Sequence, residues 1–173
     1  MSWGALENSI FNRPDLNNLF MDIAEKFARR STCCKLKTCA LLVRDGRIIS
    51  MGYNGVVSGQ GHCDRYWYNK YLESPYVDTQ TFEEYCQSEP FLSEHHVWSE
   101  PREIHGEQNC ILYAAKNGLA TDNSTMYTVY SPCVNCAKVI VASGIGCVYY
   151  RHVYQDTRGI DFLSSLECPV VRI

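Results

Sequence analysis

The sequence contains no hydrophobic run close to the roughly 18–20 residues that a helix needs to cross a bilayer. Its first residues, MSWGALENSIFNRPDLNN, hold no basic patch followed by an apolar stretch, so we expect no secretory signal peptide. Internal repeats and low-complexity tracts are also absent. The sequence therefore predicts a cytoplasmic protein without a membrane partner.

An excess of positive charge is missing as well. The 16 Lys and Arg residues are outnumbered by 19 Asp and Glu residues, which gives a net charge of −3 and a pI near 5.9. Because proteins that bind polynucleotides rely on clustered Lys and Arg, this balance favours a small substrate over a nucleic acid. The 173 residues, 46% of them hydrophobic and 20% charged, are expected to form a single domain, residues 1–173.

Cysteine, by contrast, is abundant, with ten residues in the chain. In a reducing compartment the plainer roles for so many thiols are metal ligation and burial as small hydrophobic side chains. Four of them lie inside apolar runs and are predicted to be in the core: Cys39, Cys110, Cys147 and Cys168.

Hydrophobic periodicity predicts helices and strands on both sides of one irregular segment. Residues 15–31 show the apolar spacing of a helix, and residues 38–55 predict two strands around a turn at Asp45-Gly46. After residue 102 the pattern alternates between helix and strand, with a last helix within 156–167 and a short final strand. This alternation favours parallel pairing in a three-layer α/β sheet.

The irregular segment, about residues 56–102, reads as a long polar insertion. It has few periodic apolar positions, many Tyr, Ser and Glu residues, and scattered Gly and Pro. A structureless loop of that length is unusual in a compact domain, so we expect something other than a hydrophobic core to hold it. Histidines and cysteines are available for that purpose: His62, Cys63, His95 and His96.

Two short motifs predict a metal centre. His105 lies at the start of one predicted helix, and Cys133 and Cys136 lie at the start of the next. Residues three apart on a helix share a face, and a helix N-terminus favours thiolate, so both sulfurs can bind one ion. Sulfur together with imidazole selects zinc, and three protein ligands leave the fourth tetrahedral position open for catalysis.

Glu107 completes the catalytic hypothesis. It lies two residues after His105, so it can face the same cavity and exchange protons with a zinc-activated water without being a ligand. Taken separately, the cysteine pair could equally be a redox pair or half of a structural zinc knuckle. The joint pattern of His-x-Glu before one helix and Pro-Cys-x-x-Cys before the next is the signature of zinc deaminases.

The chain also resembles deoxycytidylate (dCMP) deaminases of the bacteriophage type, within the zinc-dependent cytidine/deoxycytidylate deaminase family. The resemblance rests on GYNG (52–55), EIHGEQNCILYAAKNG (103–118), MYTVYSPCVNCAK (126–138) and VYYRHVYQD (148–156). It implies a cytidine-deaminase-like α/β/α fold with a mixed five-stranded sheet. It also implies hydrolysis of dCMP to dUMP and ammonia, a reaction on a cyclic amidine that supplies thymidylate synthesis, in the cytoplasm of the host cell if the protein is viral.

The resemblance assigns roles to single residues. It makes His105, Cys133 and Cys136 the zinc ligands, and Glu107 the group that protonates ring nitrogen 3 while water attacks carbon 4 of cytosine. Among relatives, the alanine that usually follows the ligand histidine is here Gly106. The implied substrate-binding residues are Asn109 for the deoxyribose, Asn54, Ser131 and Tyr154 around the nucleotide, and Lys37 for the phosphate, with Arg30 as a weaker candidate.

A second, structural zinc is implied in the insertion. Its expected ligands are Cys33, His62, His95 and Glu103. Each of the first three has a neighbour that competes for the role, namely Cys34, Cys63 and His96. A long polar insertion gains folding free energy directly from such an ion.

The resemblance further implies control by nucleotides and a homo-hexamer. The activator would be dCTP with Mg²⁺ and the inhibitor dTTP, acting near Tyr113 and Lys116, where relatives often carry an arginine in place of Lys116. Within enzymes, the alternatives are a cytosine deaminase that acts on nucleic acid or on free nucleosides, because the zinc core is shared, and a bifunctional dCMP/dCTP deaminase. From another class, the alternative is a nonenzymatic binding module stabilised by zinc.

Overall fold

The computed structural model describes residues 14–173, so the prediction of one domain over residues 1–173 remains a prediction. Seven helices and seven strands are assigned within these residues. The helices are α1 Leu16–Ala28, α2 Cys63–Leu72, α3 Phe82–Tyr85, α4 Glu89–Ser99, α5 Gly106–Lys116, α6 Val134–Ala142 and α7 Arg158–Ser165. The strands are β1 Cys39–Arg44, β2 Arg47–Tyr53, β3 Gly55–Val56, β4 Glu103–Ile104, β5 Thr125–Tyr130, β6 Cys147–His152 and β7 Val170–Arg172. Among the described helices, none has the length and apolar character to span a membrane.

The main sheet has five strands in the order β2-β1-β5-β6-β7. β1 pairs antiparallel with both β2 and β5, whereas β5, β6 and β7 are parallel to one another. The parallel half follows from the helices that connect its strands, because a parallel connection needs a crossover. The prediction of a mixed five-stranded sheet in an α/β fold is confirmed.

Helices cover both faces of this sheet and make two hydrophobic cores. On one face, α1 packs through Phe20, Met21 and Ala24 against Leu41 and Tyr127. On the other face, α5, α6 and α7 bury a second set of apolar residues, which includes Ala40, Leu42, Cys110, Met126, Ile140, Val148 and Leu163. The molecule therefore has the predicted three-layer α/β/α arrangement.

The insertion has a core of its own, which corrects the expectation that something other than a hydrophobic core holds it. Its helices α2, α3 and α4 bury an aromatic cluster made of Trp67, Tyr71, Tyr85 and Phe91. The polar composition of the segment concealed these side chains, because they are spread over three short helices. The aromatic cluster and the cysteines Cys33, Cys63 and Cys86 form one buried group.

A two-stranded ribbon joins the beginning and the end of the insertion. β3 pairs antiparallel with β4, so that Gly55 lies opposite Ile104 and Val56 lies opposite Glu103. The chain leaves β4 directly into His105 and α5. The ribbon thus connects the insertion to the start of the helix on which the predicted catalytic motif lies.

Candidate metal centre and substrate cavity

Two helix starts bring the three predicted zinc ligands together. His105 is the residue that precedes α5, Cys133 is the residue that precedes α6, and Cys136 lies in the first turn of α6. Both helices lie on the same face of the sheet and contact each other. The backbone amide of His105 donates a hydrogen bond to Gln108 Oε1 at 3.3 Å, which holds the start of α5.

The distances between these side chains fit a tetrahedral zinc site. His105 Nδ1 lies 3.5 Å from Cys133 Sγ and 3.3 Å from Cys136 Sγ, and the three ligand atoms lie within 4.8 Å of one another. Zinc bonds of about 2.3 Å to sulfur and 2.0–2.1 Å to nitrogen, at a tetrahedral angle, separate the two ligand atoms by about 3.5 Å. The residues present therefore fit a zinc ion.

The charge state of the cluster also suits a cation. The pKa of Cys133 is lowered to about 4. The largest cause is the hydrogen bond with the Cys136 thiol, and the imidazole of His105 lowers it further. The pKa of Cys136 is raised, first by Cys133 and then by burial. One thiolate is therefore present at neutral pH before any metal binds, and a cation can displace the remaining thiol proton.

Glu107 lies beside this cluster and is almost completely buried, with 5% of its surface exposed. The Cys136 thiol donates a hydrogen bond to Glu107 Oε2 over 3.6 Å. Burial is the main cause that raises the pKa of the Glu107 carboxyl group. A buried carboxyl with a raised pKa can hold a proton at a pH where an exposed one would lose it, as a general acid requires.

The cluster opens into a cavity of about 590 Å³. His105, Glu107 and Cys133 line it, and so do three of the predicted substrate-binding residues, Asn54, Ser131 and Tyr154. A cavity of 300–1,000 Å³ is the usual size for a small-molecule site. The space is therefore suited to a ligand of mononucleotide size.

Hydrogen bonds to the backbone hold two of the substrate-binding candidates in place. Asn54 Oδ1 accepts a hydrogen bond from the Thr38 amide at 2.9 Å, and its Nδ2 donates to the Leu36 carbonyl oxygen at 2.7 Å. Ser131 Oγ accepts from the Tyr154 amide at 2.8 Å. Asn54 therefore orders the cavity wall, and Ser131 sets the position of Tyr154.

Three other predicted residues are not among those that line the cavity. Asn109 turns away from it and donates through Nδ2 to the Tyr53 carbonyl oxygen at 2.8 Å. Lys37 and Arg30 are exposed elsewhere on the surface. The sequence also left several cavity residues unassigned, namely Lys35, Gln108, Asn135, Ser99 at the end of α4, and Glu100 directly after it. His96, which the sequence offered as a competing ligand of the second zinc, lines the cavity as well.

Comparison with known proteins agrees with this geometry. Residues 14–152 match the family described as "Cytidine and deoxycytidylate deaminase zinc-binding region". The chain belongs to the cytidine and deoxycytidylate deaminase family. Its deaminase fold extends through most of the described residues, since the match covers the sheet from β1 to β6 and the whole insertion.

Two phage proteins and one solved structure are similar to this deaminase over most of its length. The deoxycytidylate deaminase of Enterobacteria phage T2 is 36% identical over an alignment of 154 residues, with 80% of each chain covered. That of Enterobacteria phage T4 is 34% identical over an alignment of 151 residues, with 80% of this chain and 78% of the relative covered. The dCMP deaminase of cyanophage S-TIM5 was solved in complex with dCMP and dUMP. It matches this structure with a TM-score of 0.70 at 30% sequence identity, and the match covers 93% of this chain and 98% of the cyanophage chain.

A second cluster of ligand-type side chains lies in the deaminase insertion. His95 Nε2 is 3.6 Å from Cys33 Sγ and 3.3 Å from Cys63 Sγ, and Glu103 contributes a carboxylate to the same group. These separations again match the spacing of about 3.5 Å expected between sulfur and nitrogen ligands of zinc. Glu103 Oε1 is buried without a hydrogen-bond partner among the described residues. The four residues therefore fit a metal ion.

Cys63, not His62, belongs to this second cluster, which corrects the expected ligand set. His62 precedes α2 and is exposed, whereas Cys63 is the first residue of the helix and is completely buried. Of the other competing pairs, Cys33 and His95 are buried in the cluster, while Cys34 is half-buried and His96 faces the substrate cavity.

The two residues expected near a regulatory nucleotide lie apart from both clusters. Tyr113 and Lys116 are exposed on the outer face of α5, and neither lines the substrate cavity. Leu112 is also exposed on this helix. The outer face of α5 is therefore an apolar surface with one cation at its end.

Proposed function

We propose that this deaminase hydrolyses dCMP to dUMP and ammonia. The observation that carries the proposal is the position of the buried Glu107 carboxyl group. It lies beside the His105, Cys133 and Cys136 ligand set, at the wall of a cavity suited to a mononucleotide. The similar phage proteins are deoxycytidylate deaminases, and the cyanophage S-TIM5 enzyme was solved with dCMP and dUMP. A nonenzymatic zinc module would have no use for a buried acid at this point.

Three side chains would bind the metal ion, and Glu107 would transfer protons. His105, Cys133 and Cys136 would hold a zinc ion, which lowers the pKa of a water to about 7 and so supplies a nucleophile at neutral pH. Glu107 accepts the proton that this water loses and delivers it to ring nitrogen 3 of cytosine. The hydroxyl group added at carbon 4 would then lose its proton through the same carboxylate to the amino group, and the carbon–nitrogen bond would break to release ammonia.

Other residues would orient the nucleotide. Asn54 and Ser131 present polar groups on the cavity wall, and Tyr154 is held beside the cluster by Ser131. Because Asn54 already makes two hydrogen bonds to the backbone, its orientation is fixed before the substrate enters. Asn109 would act indirectly and without touching the nucleotide, because it holds the carbonyl group of Tyr53, the residue before Asn54.

An assay of dCMP, cytidine, dCTP and single-stranded DNA side by side tests the proposal. We expect turnover of dCMP. Glu107→Gln should lower kcat by about 10²–10⁴-fold, the usual contribution of general acid–base catalysis, and retain its zinc. Glu73→Gln, an exposed position after α2, is the control with the same charge change. Turnover of cytidine or DNA without dCMP, or normal kcat in Glu107→Gln, would contradict the proposal.

We also propose that Cys33, Cys63, His95 and Glu103 hold a second, structural zinc ion. The support is the matching thiol–imidazole distances and the buried Glu103 Oε1 atom, which lacks a hydrogen-bond partner. Purified protein should contain two zinc ions per protomer, and His95→Ala should contain one. One zinc per protomer in the unaltered protein would rule out the second site.

Regulation and assembly complete the proposal. We infer activation by dCTP with Mg²⁺, inhibition by dTTP, and a homo-hexamer, with Tyr113 and Lys116 at the regulatory site. The exposed apolar residues of α5 support burial against another subunit, and Lys116 supports an anionic ligand. Ten unpaired cysteines support a reducing location, the cytoplasm. Sedimentation, and dCMP assays with each nucleotide, test these points.

A further inference from the structure

The substrate cavity has an uneven distribution of charge. Three carboxylates line it, those of Glu100, Glu103 and Glu107, whereas Lys35 is the one Lys or Arg among its described lining residues. A phosphate monoester carries a charge of about −1.5 to −2 at pH 7. Glu107 can hold a proton and Glu103 belongs to the second ligand cluster, so Glu100 is the exposed carboxylate that repels a nucleotide phosphate, and Lys35 attracts it.

Lys35 is available for an external anion. None of the ion pairs in residues 14–173 involves it; these pairs join Lys70 to Glu94, Arg151 to Asp22 and Glu25, His152 to Glu25, and Arg158 to Asp156. The Lys35 side chain is exposed at the cavity wall. An ammonium group in this position binds phosphate as a point charge.

The backbone that presents Lys35 is fixed on both sides. Before it, Cys33 is 3% exposed and belongs to the second metal cluster. After it, the Leu36 carbonyl oxygen and the Thr38 amide are both hydrogen-bonded to the side chain of Asn54. The second cluster and Asn54 thus hold a short segment at the cavity wall, with Lys35 between them.

We propose that Lys35 binds the 5′-phosphate of the substrate and so makes the enzyme select a nucleotide over a nucleoside. The proposal rests on the deamination of dCMP proposed above. It replaces the expectation that Lys37 has this role, because Lys37 does not line the cavity. The second cluster then has a functional as well as a structural effect, since it holds the segment from which Lys35 extends.

Steady-state kinetics of Lys35→Gln, Lys35→Arg and Lys37→Gln test this assignment. We expect Lys35→Gln to raise the KM for dCMP by about tenfold to a hundredfold, the usual effect of losing a hydrogen bond to a charged group, with kcat nearly unchanged. Lys35→Arg keeps the charge and should restore most of the affinity. Lys37→Gln, the same change two residues away and outside the cavity, should leave the KM near that of the unaltered enzyme.

Competitive inhibition by dUMP and by deoxyuridine separates phosphate binding from a general disturbance of the site. Lys35→Gln should weaken inhibition by dUMP and leave inhibition by deoxyuridine unchanged. Equal weakening for both compounds, a normal KM in Lys35→Gln, or a raised KM in Lys37→Gln alone would overturn the assignment. The proposed reaction fails by a different result, which is absence of dCMP turnover in the unaltered enzyme.

Discussion

At the scale of single residues, Gly52 sets how closely α5 approaches the sheet. A Cβ at this position would lie 2.7 Å from the Asn109 carbonyl carbon and 2.8 Å from Cys110 Cα, and it would overlap the Cys110 amide. All of these neighbours are helix backbone, which cannot move aside as the end of a long side chain can. Because α5 begins at the catalytic motif, this close approach helps to place His105 and Glu107.

Gly52→Ala should therefore destabilise the protein strongly. We expect a loss of about 3 kcal/mol or more in the free energy of unfolding, at or beyond the upper end for overpacking, because β2 and α5 must separate to admit the methyl group. Urea denaturation measures the change. Gly61→Ala is the matched control, since a Cβ at Gly61 meets nothing within 4 Å. A loss below about 1 kcal/mol in Gly52→Ala would show that the helix can shift freely.

The proposed metal ligands show what the sequence could and could not predict at this scale. The grouping of His105, Cys133 and Cys136 was predictable because each residue stands at a helix start that the hydrophobic pattern also indicates. In the insertion, His62 and Cys63 were left as competitors. The burial of Trp67 and Tyr71, four and eight residues after Cys63, shows which of the two faces inward.

Helical spacing of the buried residues also indicates which of the two adjacent histidines of α4, His95 or His96, faces the second cluster. Phe91 and His95, four residues apart, are the buried residues of this helix. His96 is rotated away toward the cavity. This signal was present in the sequence, but it required knowing first that residues 89–99 form a helix, which the polar composition of the insertion concealed.

At the scale of elements, the insertion is held by aromatic packing as well as by its metal cluster. Phe91 of α4 lies at the centre, with ring centroids 5.0 Å from Trp67 and 5.7 Å from Tyr85. Its ring also lies 5.1 Å from that of His95, so the aromatic cluster and the metal cluster share a boundary. Packing at Phe91 therefore supports the orientation of a proposed ligand.

Phe91→Ala should destabilise the insertion by about 3–5 kcal/mol, the usual cost of removing a fully buried aromatic side chain. Hydrogen exchange should show the loss of protection concentrated in α2 and α4. Val97→Ala on the same helix is the control, because Val97 is 73% exposed and its truncation creates no cavity. Uniform loss of protection over the whole sheet would contradict a separate core in the insertion.

The elements of the main fold were far more predictable than those of the insertion. The strand–helix–strand–helix–strand order after residue 102 was evident from the sequence, because each element there has its own hydrophobic period and a clear end, such as Gly118 or Gly144 with positive φ. The helix over residues 15–31 was also found, but three of the apolar residues that give this segment its helical spacing, Leu16, Leu19 and Phe27, are exposed. The inward face combines Phe20 and Met21 with the small residues Ala24 and Ala28, which allow close packing on the sheet.

At the scale of the whole molecule, the two clusters differ most in their access to solvent. In the catalytic cluster, His105 is exposed at the open cavity and Cys133 is half-buried. In the second cluster, Cys33, Cys63 and His95 are all buried, with His95 only 2% exposed. A chelator can reach an ion in the first cluster directly. The second cluster borders the same cavity through Cys33, His95 and Glu103, but its ligand side chains are more deeply buried, so we expect slower access to its ion.

Removal of zinc, followed by the absorbance change of a chelator that binds the released metal, should therefore occur in two phases. We expect the first equivalent to leave quickly together with dCMP deaminase activity. The second should leave at least about tenfold more slowly, because its buried ligands must first be exposed, and each ~1.4 kcal/mol needed for that slows release by about a factor of ten. The second phase should be accompanied by a fall in Tm, since a structural ion contributes folding free energy.

Two variants, one in each cluster, show which cluster releases zinc in which phase. His95→Ala should lose the slow phase and keep the fast one, whereas Cys133→Ala should lose the fast phase and keep the slow one. If activity disappeared with the slow phase, the open cluster would not be the catalytic one. If both ions left at one rate, the insertion would not protect its cluster, and the segment that carries Lys35 would be held by Asn54 and packing alone.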